Sequence, residues 1–523
     1  MSFDYEVFVI GGGVNGCAIA RDAVGRGYRV GLAEMDDLAS ATSSASTKLF
    51  HGGLRYLEYF EFRLVREALI ERETLLQAMP HISWPMRFVI PYHADMRFDG
   101  ETPTSRVINT VFPWLKGRRP AALLRFGLFL YDTLGGRKIL PRTRSVDLRM
   151  DPVGAPLKAK FERAYEYSDC WIEDSRLVSL TAKDARHRGA EILTRTKVMR
   201  AIRQADHWLI TLLDRATGQE RTVTCHMLVN AAGPWVSDIV KETARIETNK
   251  GIMLVRGSHI VTKKLFDHDK CYFFQGRDGR ISFAIPYESD FTLLGTTDAV
   301  HQDADITPEC SQDERDYMLA FASEYFEKPV TKDDIVWSYS GVRPLYNDGA
   351  SNATAATREY VLDVDDTAAP ILTVYGGKIT THRKFAESAV GKVNDIFERT
   401  TPNWTAGVAL PGGDFDVHDV ADKIHALMAD YPFLTNSWAT RLVRAYGTEA
   451  WDMLGAAQGA DDLGQDFGAT LTEVEVNWLV HQEFARTAPD ILWRRSKLGL
   501  RLSVDQVQVL EQFLQHRHQT SAA

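Results

Sequence analysis

Apolar and polar positions divide this chain into three kinds of pattern. The first is a short apolar run closed by small residues. It occurs at Tyr5–Ile10, at 228–235 (LVNAAGPW) and at 371–381 (ILTVYGGKITT). Each predicts a buried strand followed by a place where the backbone comes close to something. The second is alternation. Within 246–340, the stretches 272–274, 280–286 and 291–295 read as strands of an antiparallel sheet. The third is helical periodicity, which begins after a Pro- and Gly-containing loop at 400–414. It covers 417–428, 438–446, 471–483 and 504–516 and predicts a helical cap at the C-terminal end.

The first run is the most informative, because a glycine-rich turn comes directly after it. GGGVNG places Gly11, Gly13 and Gly16 in G-x-G-x-x-G spacing with Gly12, Val14 and Asn15 between them. A helix over 17–24 comes next, then a second strand over 29–34 ending in Glu34. In such a unit the first glycine makes the tight turn, the second admits a pyrophosphate, and the third lets helix and strand pack. The helix N-terminus offers free N–H groups to phosphate oxygens. Glu34 is placed to accept hydrogen bonds from ribose hydroxyls. The order strand, glycines, helix, strand, acid is much more specific than the glycines alone.

The choice between nicotinamide and flavin turns on 40–53, SATSSASTKLFHGG. Thr42, Ser43, Ser46, Lys48, Leu49 and His51 form an extended cradle close after the second strand, which suits a flavin held along its length. Gly233, then Gly376, Gly377, Lys378 and Thr380, add two later backbone approaches. A helix starting at 378–381 would turn its N–H groups toward negative charge on a reduced ring. The fold class expected is therefore α/β, a discontinuous Rossmann-like FAD-binding domain with an antiparallel β substrate domain and a C-terminal helical cap. The FAD part takes roughly 1–80, 160–245 and 340–395, the substrate part 81–159 and 246–339, together residues 1–400, and the cap 401–523.

Composition narrows the class without changing this picture. The chain has 523 residues, 45% hydrophobic and 25% charged, with net charge −9. That length calls for two or three domains, and the acidic balance argues against nucleic acid as a partner. Five scattered cysteines form no CxxC pair, so no metal site or disulfide framework is expected and a reducing, cytoplasmic setting fits. No signal peptide or membrane span is legible.

These pieces resemble the FAD-dependent respiratory glycerol-3-phosphate dehydrogenases of bacteria. The matching stretches are GGGVNGCAIARDAVGRG, ATSSASTKLFHGGLRYLEYFEFRLVREAL, FERAYEYSDCW, NAAGPWV, GSHIV, LGTTD, VWSYSGVRPL and GGKITTHRK, with YPFL and WRRSKLGL near the end. The chain departs from the family at His382, commonly Tyr, and at Ala232, commonly Thr. The resemblance implies oxidation of sn-glycerol 3-phosphate to dihydroxyacetone phosphate. Hydride would pass to the flavin N5 and electrons onward to a membrane quinone. It also implies a homodimer on the inner face of the cell membrane. Rival readings are an oxygen-reducing glycerol-3-phosphate oxidase, another FAD amine or hydroxy-acid oxidase, and a flavin-bearing RNA-modifying or scaffold protein.

The substrate would need cations for its phosphate and a base for its alcohol. Arg55, Tyr56, Arg343, Arg358 and Lys378 are the substrate-binding candidates. Arg343 and Arg358 carry over from the family's phosphate-binding pattern. Two histidines compete for the base. His51 sits in HGG within the cradle, and His259 in GSHIV enters an apolar strand. An imidazole titrating near neutrality suits the task, and His51 is the first choice. Catalytic candidates are thus His51, Arg55, Arg343 and His259, the glycines beside His51 being expected to admit the flavin ring. For the membrane, residues 106–144 hold nine Lys or Arg and one acid among aromatic residues, a headgroup-like mixture. Trp493-Arg494-Arg495 is the second candidate surface.

Overall fold

Strand Tyr5–Ile10 is hydrogen-bonded on both edges and apolar on both faces, which places it at the centre of a parallel sheet. The structure is a computed structural model. It describes residues 3–522 apart from 95, 99–101, 112–113, 115–117, 277–278 and 348–359, with 518–522 described by backbone alone. The helices of the first part of the chain include α1 (Val14–Gly25), α2 (Phe62–Ala78), α3 (Pro103–Val111), α4 (Ala121–Leu134) and α5 (Asp174–His187).

The first sheet runs Val361–Asp365, Ile371–Tyr375, Glu220–Asn230, Tyr5–Ile10, Val30–Ala33, Glu191–Leu193, with Thr196–Arg203 and Trp208–Asp214 continuing from Glu220–Asn230. All three glycine-closed runs of the sequence therefore lie side by side, and their carboxyl ends open on one crevice. Helices α1, α5 and His382–Phe397 cover this sheet through Cys17, Ile19, Val178, Ala182, Phe385 and Val390.

The second sheet is largely antiparallel. Its strands include Leu49–Phe50, Ser83–Tyr92, Arg163–Ile172, Ile252–Lys263, Cys271–Gln275, Ile281–Tyr287, Phe291–Gly295 and Ile335–Tyr346. One pair, Ser83–Tyr92 with Cys271–Gln275, is parallel. Arg163–Ile172 and most of Ile335–Tyr346 fall inside spans expected for the dinucleotide part, yet both pair into this sheet. Both strands mix apolar and polar residues, so their local pattern does not say which sheet they join.

The cap has its own core, built by Val420–Asp430, Asn436–Tyr446, Glu449–Leu454, Glu473–Glu483 and Val504–Ala522 around residues such as Leu427, Leu442, Tyr446 and Leu479. Buried charges join it to the body. Arg495, 1% exposed, pairs through both terminal nitrogens with Asp37 (2.7 and 2.9 Å), and Arg494 reaches the same carboxylate. Arg176 pairs with Glu483. Trp493 stacks on Trp337 with centroids 4.4 Å apart. This corrects the second candidate membrane surface: Trp493-Arg494-Arg495 is an internal seam.

Candidate active site

One cavity of about 590 Å³ is lined by residues from both sheets. Its nucleotide end is the glycine turn. Gly11 has φ +110°, and a Cβ there would lie 2.6 Å from the carbonyl oxygen of Ala231. A Cβ on Gly16 would sit almost on the carbonyl oxygen of Gly11. Both positions admit only glycine. Gly13 is the N-cap of α1 and brings no side chain, and the Val14 N–H donates to the Ser43 hydroxyl (2.9 Å). Asn15 donates to the carbonyl of Gly376 (3.1 Å), tying the first glycine turn to the third.

Glu34 accepts from the Gly12 and Asp36 amides (2.7 and 2.9 Å). Burial pushes its carboxyl up to about 7, against the pull of those amides. A carboxylate has about four lone-pair sites, so acceptor capacity remains for ribose hydroxyls. Gly233, at φ +56°, has nothing within 4 Å of where a Cβ would point, while Gly376 and Gly377 have φ +73° and +116°. A backbone groove for a pyrophosphate, a carboxyl for a ribose and a long continuous cavity fit FAD.

Of the residues expected to touch the cofactor, Gly11, Gly13, Val14, Asn15, Glu34, Thr42, Ser43, Ser46, Leu49, His51, Gly233, Gly376, Gly377, Lys378 and Thr380 line the cavity. Gly12 and Gly16 shape the turn from behind. Lys48 is corrected. Its ammonium is fully buried, 2.7 Å from Asp174 Oδ1 and 3.1 Å from the Ser44 carbonyl oxygen. Asp174 also accepts from the Ser46 amide and hydroxyl (3.1 and 2.7 Å). Lys48 and Asp174 thus pin the cradle from outside the cavity.

The same cavity is lined by His51, Tyr56, His259, Arg343 and Lys378. Lys378 Nζ lies 4.0 Å from the centre of the Tyr56 ring, a cation–π contact. Arg343 pairs with Asp298 and donates to Thr296 Oγ1 (3.2 Å). Arg55 lies on the turn Leu54–Tyr59 and does not occur among the described lining residues. Arg358 lies outside the described residues. His259 is 1% exposed, stacked on Tyr339 at 4.8 Å, with Nε2 3.0 Å from the Thr47 hydroxyl. Burial, and then the charges of Arg343 and Lys48, hold it well below the ordinary histidine range. His51 is exposed, on the turn after Leu49–Phe50.

The glycines after His51 differ from expectation. A Cβ on Gly52 would collide with Leu69 and with the hydroxyl of Tyr131, and one on Gly53 (φ +72°) with the Tyr56 ring. They admit protein side chains, the first from α2 and α4. Sequence reasoning missed Asp169, Asp174 and Tyr131; for the first, a carboxylate in the mostly buried strand Arg163–Ile172 was a signal. Buried carboxylates require a cation or donors, here Arg72 and Tyr131. His382 is buried, donates from Nδ1 to the Ile379 carbonyl (2.7 Å), and is depressed to about 4 by burial.

The glycine-rich βαβ unit, the second sheet and the shared cavity define a dinucleotide-dependent oxidoreductase. The chain belongs to the FAD dependent oxidoreductase family, whose model matches residues 6–383, and residues 403–518 match the C-terminal domain of alpha-glycerophosphate oxidase. It is 45% identical to D-erythritol 1-phosphate dehydrogenase of Brucella abortus over 499 residues, 95% of each chain. It is 43% identical to glycerol-3-phosphate dehydrogenase of Pseudomonas aeruginosa, covering 98% of this chain and 96% of that one. The aerobic glycerol-3-phosphate dehydrogenase of Escherichia coli is 42% identical over 97% of each. Among solved structures, the glycerol-3-phosphate dehydrogenase of Bacillus halodurans complexed with FAD is similar in fold, with TM-score 0.72 and 24% identity over 99% of this chain and 94% of that one. This chain is an FAD-dependent enzyme.

Proposed function

We propose that this enzyme oxidises the secondary alcohol of a short polyol phosphate, with sn-glycerol 3-phosphate as substrate and dihydroxyacetone phosphate as product. The observation that carries the reading is that Arg343, Lys378 and two histidines, His51 and His259, line the same cavity as the glycine turns that fit FAD. FAD, when bound, supplies the acceptor for the hydride that leaves C2. Arg343 and Lys378 bind the phosphate. Arg343 does so by exchanging the Asp298 carboxylate for the dianion. His51 takes the hydroxyl proton as the carbonyl forms. His259, neutral and engaged with Thr47, orders the substrate side.

A second reading, D-erythritol 1-phosphate as substrate, is favoured by the relative at 45% identity. Both substrates present a phosphate monoester and secondary hydroxyls, so the same cations serve either. The test is a dye-linked assay of the purified protein on glycerol 3-phosphate, D-erythritol 1-phosphate, glycerol, glycine and sarcosine. The highest kcat/KM is expected with glycerol 3-phosphate. A higher value with the erythritol ester selects the second reading. Turnover of glycine or sarcosine, or of glycerol as well as its phosphate, overturns both.

The electron acceptor proposed is a lipid-soluble quinone, reached from a membrane surface. No helix among the described residues is long and apolar enough to cross a membrane. What supports surface attachment is α3 and α4 with their connection, where Val107, Val111, Trp114, Phe126 and Phe129 are 54%, 57%, 72%, 57% and 59% exposed. Arg106, Arg118 and Arg125 are exposed in the same segment. Arg119 is not part of this face: it is buried against Glu58 and Gln275. Each cation at an anionic leaflet contributes about 1 kcal/mol. Changing Arg106, Arg118 and Arg125 to Glu should abolish pelleting with anionic vesicles and keep dye-linked activity. Unaltered pelleting places the contact elsewhere.

A further inference from the structure

His51 stands on an irregular turn, yet its backbone is held from both sides. Its own N–H donates to Thr380 Oγ1 (3.3 Å). The next amide, Gly52 N–H, donates to the hydroxyl oxygen of Tyr131 (2.6 Å) and lies 3.3 Å from Asp169 Oδ1. The peptides before and after His51 are therefore both anchored. Tyr131 in turn donates its hydroxyl proton to Asp169, with oxygen–oxygen distances of 2.7 and 2.9 Å. Arg72 of α2 pairs with Asp169, donates to the Ser168 carbonyl (2.8 Å), and lies 5.1 Å from the centre of the Tyr131 ring.

We propose that Tyr131, backed by Asp169 and Arg72, is a positioning residue that fixes the backbone of His51 for proton transfer. Tyr131 is 1% exposed, Asp169 1% and Arg72 3%, so solvent cannot substitute for a lost partner. The chemistry of the chain of bonds is directional. A phenol that gives its proton to a carboxylate becomes a better acceptor, and such chains strengthen one another at low local dielectric. The guanidinium balances the carboxylate, so the site keeps one buried ion pair and no net charge. Gly52 completes the device: only without a Cβ can its amide reach the phenol past Leu69. None of the three side chains lines the cavity. They act on the reaction only through the turn they hold.

The inference rests on the reading of His51 as the proton acceptor, and the experiment separates the two. Tyr131→Phe removes one oxygen and keeps the ring on Arg72, so the fold and FAD content should persist. Single-turnover flavin reduction by glycerol 3-phosphate is measured for wild type, Tyr131→Phe, His51→Ala and the double variant. Misplacement of a reacting group by about 1 Å costs on the order of 10²-fold. Tyr131→Phe should therefore slow reduction about 10- to 100-fold with unchanged substrate affinity. In the His51→Ala background the same change should cost less than about twofold. Asp169→Asn, which weakens the acceptor behind Tyr131 at a residue that does not line the cavity, should show the same background dependence and serves if Tyr131→Phe loses FAD. An equal slowing in both backgrounds overturns the positioning role and leaves the base assignment intact. A fast His51→Ala enzyme overturns the base assignment itself.

Discussion

At the nucleotide end of the cavity the recognising atoms belong to the backbone; at the reacting end they belong to side chains. Gly11, Gly13 and Gly16 work by what they lack, and the Val14 and Gly12 amides are already fixed by Ser43 and Glu34. His51, Tyr56, Arg343 and Lys378 are proposed to work by what they carry, and each depends on neighbours far away in the chain. Asp169 lies 117 residues from the Gly52 it holds, and Thr380 lies 329 residues from His51. Glu34 apart, the nucleotide part is strict about shape and depends little on any one charge. A side-chain site tolerates small changes of shape and fails when one charge or donor is removed.

The largest effect that this contrast predicts is at Gly16. Gly16→Ala forces a methyl into the Gly11 carbonyl, so the purified protein should contain essentially no FAD, read from the ratio of flavin to protein absorbance. Wild-type flavin content in this variant would mean the turn yields. Next, His51→Ala should retain FAD and slow flavin reduction about 10²- to 10⁴-fold, with His259→Ala much less affected. The reverse ranking would exchange the two histidines. Arg343→Ala should leave FAD and the chemical step in place. Its KM for glycerol 3-phosphate should rise about 10- to 150-fold, the scale of a lost charge-assisted hydrogen bond of about 1.5–3 kcal/mol. A normal KM would remove Arg343 from the phosphate site.

The smallest effect is the pH dependence of FAD binding at Glu34. Its carboxyl is raised to about 7 from an ordinary 4.5. Stability carried by the protonated form of the apoprotein is complete below the ordinary value and is lost as pH rises through about 7. Ribose hydroxyls donate best to the ionised form, so FAD binding draws the carboxyl toward ionisation. Affinity measured by flavin fluorescence should rise up to about tenfold from about pH 6 to about pH 8. Glu34→Gln should flatten that rise. A slope that survives in Glu34→Gln would assign it to another group.

Much of the nucleotide end could be read from residue spacing. The strand Tyr5–Ile10 and helix α1 occur where apolar runs and glycines put them, and the four periodic stretches of the cap form helices. These patterns are local, since a period and a cap lie within a few residues of each other. The reacting end was legible only as a set of polar residues in odd company. Lys48 read as a ligand because its ion-pair partner, Asp174, is 126 residues away. Arg119 read as a surface cation because nothing nearby in the chain announces Glu58 or Gln275. The glycines after His51 read as room for a flavin because Leu69 and Tyr131 come from two different helices. Long-range pairing decides each of these, and alternation and periodicity carry no information about it.

The seam at Asp37 has a bearing on how the molecule can be divided. Asp37 comes three residues after Glu34, and its own partners, Arg494 and Arg495, come from the far end of the chain. Cutting the gene after residue 400 would leave this carboxylate without its guanidinium groups beside the cradle, and Arg176 without Glu483. The two family segments are thus separate as units of sequence and joined in the fold by buried ion pairs. A shortened version would need Asp37 and Arg176 replaced by neutral residues before its loop could be expected to close around a cofactor.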